Sequence, residues 1–75
     1  MKGGGALNKL KGARVEHDLT QKEMAELIGI SEFSYGIKER GEREFTVEEV
    51  NKILTLLDNK TYEDLFYQEV DLNEK

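Results

Sequence analysis

The sequence predicts an all-α fold, a compact five-helix bundle. Two observations carry that expectation, and a third divides the chain. Apolar side chains recur at spacings of three and four, the period of a helix with one buried face. Three helix starts carry their own capping residues, Thr20, Ser31 and Thr46. Gly29 and Gly41 then stand where the second and third helices must stop.

Residues 1–5 read as a flexible lead, with Gly3 to Gly5 either native or left from cloning. The domain spans 6–67, and 68–75 form a C-terminal tail. The first helix runs from about Ala6 to His17, with Leu7, Leu10, Ala13 and Arg14 on one stripe. Gly12 is its weak point, costing about 1 kcal/mol against Ala where exposed. Thr20-Gln21-Lys22-Glu23 is a capping box that opens the second helix, and Leu19 can staple onto Met24. Met24, Leu27 and Ile28 are its expected buried face, with Ala25 in close packing.

Only Ile30 separates Gly29 from Ser31, the N-cap of a third helix from Glu32 to about Arg40. Two helices joined by so short a turn have helix-turn-helix geometry. A loop runs from Gly41 to Phe45. Thr46-Val47-Glu48-Glu49 is a second capping box, and Val47, Val50, Ile53, Leu54 and Leu57 mark an amphipathic fourth helix. Thr61 caps a short fifth helix with Tyr62, Leu65 and Phe66 inward. The alternation from Tyr67 to Leu72 reads as a short strand or a frayed end. The expected core is Leu10, Met24, Ala25, Leu27, Tyr35, Val50, Leu54, Leu65 and Phe66.

Composition excludes several functions. At 75 residues the chain is one domain at most, burying only about 60 % of its unfolded surface. Without cysteine it has no disulfide and no thiolate zinc site. No apolar run approaches the roughly 18 residues of a membrane span. Met1-Lys2 is followed by glycines, not by the apolar stretch of a signal peptide, so a soluble cytoplasmic protein is expected. The single histidine, His17, is a last-turn cation rather than a metal ligand or general base. The acids at 48, 49, 63, 64, 69 and 71 have no catalytic partner, and no phosphate-binding glycine loop occurs. The expectation is a protein that is not an enzyme and holds no cofactor or metal.

The formal charge of −5 is unusual for a protein that sits on phosphates. It is unevenly placed, at +2 over residues 1–10, −1 over 11–43 and −6 over 44–75. The nearly neutral middle can still present a local basic face.

The run Leu19-Thr20-Gln21-Lys22-Glu23-Met24-Ala25-Glu26-Leu27-Ile28-Gly29-Ile30-Ser31 resembles the lambda-repressor and Cro-type, XRE-like helix-turn-helix family. The likeness extends through Leu10 and Arg14 upstream, and through Tyr35, Glu39, Gly41, Arg43 and Phe45 downstream. Together with the fourth and fifth helices it covers about residues 7–66. With Tyr35 and the run Lys38-Glu39-Arg40-Gly41-Glu42-Arg43-Glu44-Phe45, this version resembles small phage and prophage regulators of Gram-positive bacteria.

The resemblance implies that the third helix lies in the DNA major groove while the second crosses the backbone. It implies that Gln21 holds a phosphate by side chain and helix N-terminus, and that Arg43 is a loop phosphate contact. Glu32, Phe33, Gly36 and Ile37 take the base-reading positions. Lys22, Ser31, Ser34 and Lys38 complete the DNA- or partner-binding set. Tyr35 and Lys38 are turned inward, with Ser34 at the shoulder. Arg14 and Glu39 match a structural ion pair between the first and third helices. Without the resemblance they could equally be a surface bridge of little worth.

The reading positions depart from the family. Glu32 accepts from cytosine, and Phe33 and Ile37 touch a thymine methyl, but none makes the Arg–guanine or Gln–adenine pair. Flanking cations at Lys38, Arg40 and Arg43 keep some attraction for a polyanion. Phe33 and Ile37 fit three readings: a core pair, a thymine contact or a protein-binding face. Two functions therefore stand. One is a transcriptional regulator that binds double-stranded operator DNA, gaining affinity as a homodimer. The other is an antirepressor that uses the same face on a partner repressor protein.

Overall fold

The protein is described by a computed structural model covering residues 7–58 and 60–66. The expected lead over 1–5 and the tail over 68–75 lie outside the described residues, as does the alternating segment from Tyr67. Five helices follow in order: α1 (Asn8–Glu16), α2 (Gln21–Ile28), α3 (Glu32–Glu39), α4 (Val47–Leu56) and α5 (Tyr62–Phe66). No strand occurs among the described residues.

The caps that mark the helices in sequence are made. Thr20 Oγ1 accepts from the Glu23 N–H at 3.0 Å, and Glu23 returns a bond to the Thr20 N–H at 2.9 Å. Thr46 and Glu49 repeat this reciprocal box at α4. Thr61 and Asp64 repeat it at α5, and the bonds from Thr61 hold the Asp64 carboxyl below the usual range. Ser31 Oγ accepts from the Ser34 N–H at 3.0 Å. These bonds satisfy N–H groups that a helix start leaves without a partner.

The stops are left-handed glycines. Gly29 has φ 84°, and the Ile30 N–H returns to the Ala25 carbonyl at 3.0 Å. Gly41 has φ 83°, and the Glu42 N–H returns to the Ile37 carbonyl at 2.9 Å. Both are Schellman closures, which need a residue that tolerates positive φ. The turn between α1 and α2 uses Asp18 at φ 59° in the same region. His17 caps α1, its Nδ1 lying 2.9 Å from the Ala13 carbonyl, which fits the last-turn role read from sequence.

The core is Leu10, Ala13, Met24, Ala25, Ile28, Tyr35, Ile53, Leu57 and Leu65. It lies where α2 packs on α3 and α4 while α1 packs on α3 and α5. An aromatic ladder leads out of it. Tyr35 meets Phe45 at 5.7 Å between ring centres, Phe45 meets Phe66 edge-on at 5.7 Å, and Phe66 stacks on Tyr62 at 5.2 Å.

Several expected faces are rotated. Leu27 is 52 % exposed, and Ile28 with Ala25 takes its place inside. Successive helical residues turn by about 100°. The buried arc of Met24, Ala25 and Ile28 is therefore centred on the Ala25 side, and Leu27 falls on its shoulder. In α4 the fully buried position is Ile53, joined by Leu57 at its C-cap, while Val50 and Leu54 are half-buried. Val47, in the first turn at the edge of that arc, is 78 % exposed. Phe66 is half-buried, and Tyr62 is mostly exposed with one ring face on Phe66.

Candidate nucleic-acid interface

Beneath the helix pair lies a closed polar network centred on Glu39. The Arg14 Nε donates to Glu39 Oε2 at 2.9 Å and Nη2 to Oε1 at 3.2 Å, a bidentate pair with both side chains buried. The Tyr35 hydroxyl donates to Oε2 at 2.8 Å and the Gln21 Nε2 to Oε1 at 2.8 Å. Arg14 Nη1 also donates to the Leu19 carbonyl at 2.7 Å, and the Leu7 N–H donates to the Glu39 carbonyl at 2.8 Å. Among the described residues no buried side-chain polar atom lacks a partner. The pair expected from sequence is therefore a buried brace rather than a solvated bridge.

Burial alone would raise the Glu39 carboxyl. The hydrogen bonds from Arg14, Gln21 and Tyr35 outweigh it and hold the group below the usual carboxylate range. The Arg14 guanidinium is raised by its bond to Glu39, against burial. Burial, and then the bond to Glu39, push the Tyr35 phenol far above its ordinary value. All these groups therefore keep their ordinary charge states across the neutral range.

The brace positions α3. Tyr35, Lys38 and Glu39 face inward, so the opposite stripe of α3 is presented outward. Ser31 and Glu32 are exposed at its start, and Ser34 is half-buried at the shoulder. Phe33 is 75 % exposed, which removes it from the core, and Ile37 is half-buried. Gly36 is buried. Lys22 and Arg43 are exposed, on α2 and in the loop after α3.

Two expected roles change. Lys38 adds no open cation to this face: it is buried, with Nζ 2.8 Å and 3.0 Å from the two Glu49 oxygens and 5.9 Å from the Phe45 ring centre. That bond draws the Glu49 carboxyl down, against the effect of burial. The Gln21 side chain is turned to Glu39, so one of its amide protons is spent on the brace. The backbone N–H groups of Gln21 and Lys22 stand at the start of α2, where helices have no internal acceptor.

Sequence reasoning missed three of these contacts. The Tyr35–Glu39 bond had a local sign, the i,i+4 spacing on one helix. The Lys38–Glu49 and Gln21–Glu39 bonds join different helices and had none.

A tight helix pair, locked from below and showing the outer stripe of its second helix, defines a helix-turn-helix protein of the nucleic-acid-binding class. The chain belongs to the Cro/CI/XRE-type helix-turn-helix family of DNA-binding regulators. The family model described as Helix-turn-helix matches residues 10–65. Comparison with curated proteins returns no match.

Proposed function

We propose that this chain is a phage-type transcriptional regulator that binds operator DNA, with α3 in the major groove. The observation that carries the reading is the outward stripe of α3, held by the Glu39 brace, with Lys22 on α2 and Arg43 in the loop after α3 both exposed. In this reading the N-terminus of α2 at Gln21 and Lys22 holds a phosphate, and Arg43 holds another. Phe33 and Ile37 touch thymine methyls, and Glu32 accepts from cytosine N4. Two copies would place their α3 helices about one DNA turn apart.

The test is selection from random duplexes at about 50 mM salt, where phosphate contacts are strongest. A selected site whose affinity falls with log salt, at about −0.9 per phosphate contact, is expected. Arg43→Ala should weaken all duplexes alike, whereas Phe33→Ala should change which sequence is selected. Absence of any duplex binding at that salt would sink the reading.

One observation favours a second reading. A phenylalanine three-quarters exposed beside Glu32 also suits a protein partner, such as the DNA-binding face of a repressor. Phe33 would then be a central anchor whose loss costs about 2 kcal/mol or more in partner binding.

A further inference from the structure

We propose that Arg40 supplies the base-reading cation that the start of α3 lacks, reaching back over Gly36. The inference rests on the operator-binding reading and names a specificity residue within it.

Arg40 caps the C-terminus of α3 with helical backbone angles, φ −76° and ψ −5°. At 3.6 residues per turn it lies seven residues, close to two turns, from Phe33, and so on the same outward stripe. Helical side chains lean toward the N-terminus and cover the turn before their own Cα. Arg40 does this: its Nη1 lies 3.5 Å from where a Cβ on Gly36 would stand. The Gln21 Oε1 flanks the same point at 3.6 Å. Gly36 occupies a base-reading position but has no side chain to fill it. The guanidinium fills it instead, from one turn further on.

The Arg40 Nε donates to Glu42 Oε2 at 3.0 Å, and both side chains are more than half exposed. An exposed pair of this kind is worth little and yields easily to a stronger acceptor. The bond uses Nε, so the edge formed by the two terminal nitrogens keeps its N–H groups for another acceptor. An arginine fork recognises the O6 and N7 of guanine in the major groove. The preferred operator should therefore carry a guanine opposite the middle of α3, beside the thymine that suits Phe33.

The test uses the full chain in duplex selection at about 50 mM salt, followed by affinity measurement on the selected site and a guanine-substituted copy. Wild-type protein should prefer the guanine site by roughly tenfold or more. Arg40→Gln should abolish that preference. Arg40→Lys should keep the salt dependence of a cation but lose the preference, because a point charge lacks the planar fork. Gly36→Leu should act like Arg40→Gln by filling the space the guanidinium occupies. The two Arg40 variants lie at an exposed position and decide the matter even if Gly36→Leu proves unfolded by circular dichroism. If Arg40→Gln selects the same site at unchanged affinity, the proposal is wrong while operator binding stands. If Arg40→Lys matches wild type in both affinity and preference, the planar fork of Arg40 is not what reads the guanine and the proposal also fails. If wild-type protein binds no duplex at all, the operator-binding reading fails first and this proposal with it.

Discussion

Glu39 receives hydrogen bonds on its carboxylate from Arg14, Gln21 and Tyr35, contributed by three different helices. Glu39→Gln keeps the volume but strands the buried Arg14 charge, and breaking a buried pair from one side costs about 3 kcal/mol or more. That is a large part of the roughly 4–11 kcal/mol expected for a domain of this length. Urea unfolding at neutral pH should show the loss, and a change near zero would mean that the network is not formed. The pH dependence follows from the depressed Glu39 carboxyl. Its contribution is present above the ordinary glutamate value of 4.5 and is lost as pH falls through the lower folded value. Wild type should therefore lose stability below about pH 4.5, and the gap to Glu39→Gln should narrow there. Arg14 and Glu39 were legible as a pair because the family motif places both. The resemblance gives the Gln21 side chain to a phosphate, and nothing in the local sequence shows it turning inward to an acid 18 residues away.

At the scale of the helix, starts and stops were legible and faces only in part. A cap is written within four residues, as at Thr20 and Thr46, and the bonds form as spaced. A buried face depends on which neighbour the helix meets. Leu27 and Val47 have the right period but fall on the edge of the arcs that α2 and α4 bury. Gly12 offers a direct test of local propensity. It is exposed in α1, and a Cβ built on it would meet nothing within 4 Å. Gly12→Ala should therefore raise stability by up to about 1 kcal/mol, through helix propensity and a less flexible unfolded chain. A thermal melt should rise by several degrees. An unchanged or lower melting point would show that α1 needs the glycine for a contact that the open space does not suggest. Lys52 contributes at another end: its Nζ lies 3.9 Å from the Cβ position of Gly29, near the negative end of α2.

For the molecule as a whole, the all-α architecture was legible because almost every determinant of it is local. The reading surface was legible as a place on α3 but not in its chemistry. Lys38 counts as a cation in sequence, yet Glu49 of another helix takes its charge. Arg40 counts as a flank, yet it bends over the glycine one turn behind it. Such placements depend on how helices dock and side chains lean, which no periodicity encodes. The exposed face is therefore poorer in net cations than its sequence suggests, and any affinity for DNA should rest on few phosphate contacts with a correspondingly shallow salt slope.

The Arg14–Glu39 bond spans 25 residues, whereas the caps and Schellman turns close over three to five. In kinetic terms it must wait for α1 and α3 to find each other, after the local turns have repaid their own small closure costs. An interaction made after the rate-limiting step governs how fast a molecule opens, not how fast it forms. Stopped-flow measurements on Glu39→Gln should then show faster unfolding with refolding nearly unchanged. Thr20→Ala, which removes a cap inside the helix pair, should mainly slow refolding. If Glu39→Gln instead slows refolding by the full loss of stability, the docking of α1 on α3 is itself the nucleus. The brace that aims α3 would then also be the step that commits the chain to fold.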